Sequence, residues 1–179
     1  MAESFTNSLS RAVGVVTSTS SGAIGITTNM ITGISTVGLA VSSFVDNQHY
    51  LAGTKVASIG VSSAICDRDS TNTAAASSQT VKFLGVTTSY TSTAGEKSIL
   101  IGGTFANNTG ASVNLTVSTY DASAGVEAQI ASKIPVPYGS SFVIADTGKT
   151  LLEGLDEVRV YCDTANAIDV NLSILKGVS

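Results

Sequence analysis

Apolar and polar residues alternate with period two through much of the chain, and most cleanly between Ser98 and Asp121. Ile99, Ile101, Gly103 and Phe105 fall on one side of an extended backbone there. The stretch reads as one β-hairpin: Val113, Leu115 and Val117 do the same on the return arm, whose Ser112, Asn114, Thr116 and Ser118 face the other way. Strand side chains point alternately to opposite faces, so each arm has one apolar and one wet face. Between the arms, Asn107-Asn108-Thr109-Gly110 tolerate the tight backbone of a reversal. The same alternation predicts strands near 11–17, 86–90, 98–106, 111–120, 127–134, 141–145, 157–162 and 168–175, with a shorter one at 150–153. The predicted core contains Ile99, Ile101, Phe105, Val113, Leu115, Val117, Phe142, Ile144, Val158, Val160, Val170, Leu172 and Ile174.

Elsewhere the texture changes. Residues 1–7 read as a polar arm, and Ser18-Thr19-Ser20-Ser21-Gly22 is expected to break the first strand. From Ala23 to about Phe83, apolar pieces of a few residues alternate with Gly and Ser, which predicts a compact, turn-rich unit. Gly53 is placed to take positive φ before a strand over Thr54–Ile59. Pro135 and Pro137 cannot both sit inside a central strand, so they mark an edge or a corner. Helix caps followed by apolar stripes of period 3.6 are hard to find. The fold class is therefore all-β, a sandwich or barrel.

Composition narrows the function classes. Of 179 residues, 43% are hydrophobic and only 12% charged, about half the roughly 25% usual in soluble domains. Ser, Thr, Asn and Gly take the place of the missing ions, giving a surface that packs against neighbours at low desolvation cost. The net charge of −4 and the scattered 9 Lys and Arg argue against a nucleic-acid partner, which needs clustered cations. The opening MAESFTNSLSRAVG lacks a basic start and apolar run, so no secretory signal is expected. No apolar run approaches the length that crosses a membrane. Cys66 and Cys162 have no metal-type neighbours. Buried free thiols made in a reducing cytoplasm are the simpler reading, and spacing leaves a disulfide between them open.

Residues that could carry chemistry each have a plainer explanation. His49, the only histidine, sits in Asp46-Asn47-Gln48-His49-Tyr50 without a nucleophile beside it, as a loop histidine would. Asp67-Arg68-Asp69-Ser70 lacks the Gly-centred loop and spaced ligands of a calcium site. Glu153, Asp156 and Glu157 solvate a strand turn more readily than they form an acid–base pair. Gly102-Gly103 precedes no helix, so it is no phosphate loop; in a strand, paired glycines mark a bulge or a close backbone approach. The three Asn-x-Ser/Thr matches, at Asn107, Asn114 and Asn171, are accidents of composition without a secretory signal. No catalytic, metal or cofactor-binding residue is expected, and no cofactor.

Two stretches resemble known proteins. Leu51-Ala52-Gly53-Thr54-Lys55-Val56-Ala57-Ser58-Ile59, with the strand and Ser/Thr/Ala-rich tail after it, resembles a small β module recurring in phage tail and fibre proteins, over about 31–82. The segments KSILIGGTFANNTGASVNLTVSTYD, KIPVPYGSSFVI and GKTLLEGLDEVRVYCDTANAIDVNLSIL, over about 84–177, resemble a β domain of structural proteins of tailed bacteriophages, most like those of marine cyanobacterial phages. FTNSLSRAVGVV resembles that domain's opening strand, which in relatives runs straight on to the feeder strand near Val86.

The resemblance implies a jelly-roll-like β-sandwich at 84–179. Residues 1–22 would form an arm and first strand packing with it, and a small β module, 23–83, would be inserted or appended. It also implies a non-enzymatic virion protein, assembled in the host cytoplasm. Capsid decoration or cement is the first role and a neck, tail or fibre accessory the second. Partners would be the major capsid protein or neck and tail proteins, within a homo-oligomer, without nucleic acid or membrane. The arm from Met1 to Ser10 would lie across an adjacent subunit. A carbohydrate-binding host-attachment module is the alternative from another class, weakened by the absence of Trp and by only 5 Tyr.

Overall fold

A computed structural model describes residues 3–144 and 149–178, and among them the protein is all-β without a helix. Its strands are β1 (Ser4–Val13), β2 (Val15–Ile24), β3 (Met30–Thr32), β4 (Phe44–Asp46), β5 (Val56–Ile59), β6 (Ser63–Cys66), β7 (Ala76–Gly85), β8 (Thr87–Thr91), β9 (Lys97–Asn107), β10 (Val113–Asp121), β11 (Val126–Val136), β12 (Ser141–Ile144), β13 (Thr150–Leu152), β14 (Glu157–Cys162) and β15 (Ile168–Val178). They divide into two compact units, Met1–Gly14 with Thr87–Ser179, and Val15–Val86.

The first unit is a sandwich of two antiparallel sheets. One runs β1-β15-β9-β12, with β13 also pairing β9, and the other runs β11-β10-β14-β8. Let β12 and β13 share one strand position and number the eight positions of this unit in chain order. The sheets then read 1-8-3-6 and 5-4-7-2. That is the double Greek key of a jelly roll. Its core joins Leu100, Phe105, Leu115, Val117, Val158, Val160, Leu172 and Ile174, among others, with Phe142 and Ile144 packed against it part-buried. Pro135 lies near the end of β11, an edge strand, where a missing N–H leaves no ladder bond unmade.

The reversal after β9 is not the turn of a hairpin, because β9 and β10 lie in different sheets and do not pair; it crosses from one sheet to the other and is built by one side chain. Asn107 is buried; its Oδ1 accepts the Thr109 N–H at 2.8 Å, and its Nδ2 donates to the carbonyls of Ala111 at 2.7 Å and Val136 at 2.8 Å. The turn between β9 and β10 is thereby tied to the corner after β11.

Three further expectations need correction. First, the alternation of β9 is not continuous. Ser173 pairs with Gly102 and Ile174 with Leu100, so β9 holds one extra residue there. The bulge flips the faces: Ser98 and Leu100 join the core, while Ile99 and Ile101 are left half-buried on the outer side. Gly102-Gly103 mark both the bulge and a close approach, since a Cβ on Gly103 would lie 2.7 Å from Leu172 Cδ2.

Second, the N-terminus is not a free arm. Ser4 to Ser10 pair in register with Lys176 to Val170 of the same chain; Met1 and Ala2 lie outside the described residues. Small Ser, Thr and Asn side chains fit a pleated edge as readily as a coil, and the ladder to β15 decides. Third, the expected strand over 11–17 is divided at Gly14, and residues 15–22 belong to the second unit rather than to the sandwich. Of the expected 141–145 strand, Ala145 lies outside the described residues.

The second unit is one sheet, β4-β7-β2-β3-β6-β5, over a core including Ile24, Ile31, Val45, Val56, Val81 and Phe83. Ser18 to Gly22 do not break it; they lie within β2, paired along β7. Gly22 serves packing there, since a Cβ would meet Ile34 Cγ2 at 2.6 Å. Gly53 has φ 83, as expected before β5.

Because each unit has its own core, excision of Val15–Val86 with a short Gly/Ser linker from Gly14 to Thr87 is expected to leave a folded sandwich. Cooperative thermal unfolding of the excised protein checks this, and a product without such a transition contradicts it.

Candidate functional site

The sandwich presents two outer faces of opposite chemistry. On the sheet β11-β10-β14-β8, the inward residues Val117, Val158 and Val160 are buried in the core, so their neighbours in sequence point out. Arg159 organises this face. Its Nε donates to Glu157 at 2.6 Å and its guanidinium reaches Glu127 at 3.5 Å. It also lies 3.7 Å from the centre of the Tyr120 ring. Glu127 accepts the Ser118 hydroxyl at 2.6 Å, Glu157 accepts Thr88 at 3.1 Å, and Tyr161 accepts Gln129 at 3.2 Å. The stacked cation and its two carboxylates hold one another in place. The face is polar and its side chains bond to one another, with Thr116, Ser118 and Tyr161 on it themselves buried.

The outer face of β1-β15-β9-β12 is different. Phe5 pairs with Leu175, Leu175 with Ile99, and Ile99 with Leu151. One apolar row thus crosses the whole sheet. Phe5 is 78% exposed and Leu151 50%. Farther along, Leu9 pairs with Asn171, Asn171 with Thr104, and Thr104 with Val143; Leu9 is 70% exposed and Val143 53%. A shallow hollow of about 310 Å³ is lined by Leu9, Arg11, Thr104, Ala106, Asp169 and Asn171, among others.

Asp169 closes one end of this face, accepting the Ala12 N–H at 2.9 Å. That bond, then the Asn108 side chain and the Arg11 charge, hold its carboxyl below the usual carboxylate range. Asp121 is lowered by the Ala124 amide and by Ser123 in its turn. A carboxyl depressed in the folded state adds stability above its unfolded pKa of about 3.9, and the gain is lost as pH falls through the folded value. Asp169→Asn is therefore expected to lower the melting temperature at pH 7 and to flatten its decline in acid. A titration of melting temperature from neutral to acid pH checks both signs.

The residues singled out for chemistry are dispersed. His49 caps a loop: its N–H donates to Asn47 Oδ1 at 2.8 Å and its carbonyl accepts the Thr71 amide at 2.8 Å. Asp67 Oδ1 accepts the Lys55 N–H at 2.8 Å. Asp156 is buried and accepts the amides of Glu153 at 2.9 Å and Ala122 at 3.0 Å, fixing a turn, while Glu157 serves Arg159. Cys66 and Cys162 are buried thiols outside any disulfide. Burial pushes the Cys66 thiol up to about 11, so it stays protonated and unreactive at neutral pH. Among the described residues, no three His, Cys, Asp or Glu side chains gather as a metal site would require.

Sequence reasoning missed the apolar outer face because it assigned Ile99 and Ile101 to the core. The signal that could have found it is the apolar character of Phe5, Leu9 and Leu175 at positions opposite the core set. Comparison with known protein families, characterised proteins and solved structures finds no match to this chain.

Proposed function

We propose that this protein is a non-enzymatic, multi-copy structural component of a tailed-phage particle, placed on the capsid exterior. The observation that carries the reading is where the phage-like segments fall. The ANNTGA piece is the turn between β9 and β10, KIPVPYGSSFVI spans the corner from β11 to β12, and LLEGLDEV spans the turn from β13 to β14. The motif order is thus the corner order of a jelly roll, an architecture that viral capsid domains use among others. Fold alone does not assign a role. The low charge adds support, since few ions need desolvating when its surfaces meet a neighbour.

The test is a quantitative protein inventory of purified particles of the phage that encodes this chain. Many copies per shell, exposed to antibody on the capsid, are expected. A handful of copies at one vertex would overturn the decoration role in favour of neck or tail. Absence from particles would overturn the virion assignment altogether.

A further inference from the structure

We infer that the outer face of the β1-β15-β9-β12 sheet is a homodimer interface, packed face to face against the same face of a second copy. The argument starts from the contrast between the two outer faces. One is a satisfied polar layer around Arg159. The other carries the row Phe5–Leu175–Ile99–Leu151 from one side of the sheet to the other, with Leu9 and Val143 beyond it. Scattered exposed apolar residues are ordinary, but a contiguous patch spanning a sheet marks a surface that binds.

Charge selects the occupant. Arg11 and Asp169 sit together at one end of the face, and Lys97 lies at the other, where β9 begins. The middle carries no ion. An acidic or basic partner finds nothing there to grip, whereas an identical, neutral face meets no like-charge repulsion. Size also fits. Four strand positions about 4.8 Å apart and about ten residues at about 3.3 Å give a footprint of roughly 600 Å². Projecting side chains make the accessible surface larger than that footprint, approaching the roughly 800 Å² per partner of a standard interface.

Geometry allows the match. Identical sheets share one twist and pack nearly aligned, and a twofold axis makes the contact isologous and closed. The free edge of β1 is a weaker candidate, because the Ser8 hydroxyl already ties that strand to the Ser89 carbonyl of the opposite sheet at 2.6 Å. The inference stands apart from the virion assignment and can fail or hold without it.

Sedimentation velocity of the purified full chain at micromolar concentrations tests it. A mass of twice 18.1 kDa is expected. Phe5→Glu and Leu9→Glu, both at well-exposed positions, should sediment at the monomer mass and still unfold cooperatively, with melting temperatures lowered by no more than the lost association accounts for. Val61→Glu, at a 98% exposed position in the other unit, should remain dimeric. Thr104→Cys supplies a readout that does not depend on the charged variants folding. It should crosslink between copies with a short bis-maleimide, while Val61→Cys should not. A monomeric parent chain, a trimer or higher ring, a dimer that persists in Phe5→Glu and Leu9→Glu, or no crosslink at Thr104→Cys would each overturn the assignment.

Discussion

Phe105→Ala is expected to destabilise the sandwich by about 3–5 kcal/mol, the range for emptying a fully buried aromatic site. Phe105 is 0% exposed at the middle of the core. It is held on one side by Val170 and on the other by Phe142, whose ring centre lies 6.1 Å from its own. Its ring also fills the space over Gly103, where a Cβ would approach it within 3.2 Å. The flanking strands are fixed by ladders on both sides, so the cavity cannot collapse cheaply. Denaturant unfolding, followed through the sandwich's own transition, measures the loss. Tyr138→Ala, at a 72% exposed position in the turn after β11, is the control and should change stability by less than about 0.5 kcal/mol. The bulge adds a comparison within one strand. Leu100→Ala should cost clearly more than Ile101→Ala, and the reverse order would show the register to be wrong.

Gly14→Ala is the second large effect, expected at about 3 kcal/mol or more from backbone strain and collision together. Gly14 has φ 125, a conformation L side chains rarely adopt. A Cβ there would collide with the Thr164 carbonyl oxygen and lie 2.6 Å from Cys162 Sγ. Gly14 also anchors the loop after β14, since its carbonyl accepts the Asn166 N–H at 2.9 Å while Val13 accepts the Ala167 N–H at 2.9 Å. Straining this position should loosen that loop and open the buried Cys162. A lower melting temperature with faster labelling of Cys162 by a thiol reagent is the expected pair of results. An unchanged labelling rate would show that the loop does not depend on Gly14.

Much of the fold was legible because period-two alternation is a local property. β14 was expected at 157–162 and lies there. Ile168 to Ile174 alternate in and out as read, and Asn107 to Gly110 turn the chain where their chemistry said they would. What misled was continuity. Leu100 and Ile101 are equally apolar, so nothing local tells which one enters the core. That choice is made by β15, against which β9 takes one extra residue beside Gly102-Gly103. Likewise Ser18 to Gly22 read as a break because Ser and Gly favour loops. Their strand is imposed by β7 and by the close packing of Ile31 and Ile34 under Gly22.

The candidate surface divides in the same way. By itself the sequence determined the all-β class, most strand positions, the turns and the low charge, because each depends on residues close together in the chain. Only the tertiary structure decided that the first and last strands pair, that the strand order is a jelly roll, and that Phe5, Leu175, Ile99 and Leu151 form one outward-facing apolar row, exposed at Phe5 and Leu151. Those residues come from four strands distant in sequence. Hydrogen-bond ladders bring them level, and which face they share follows from where each ladder shifts register.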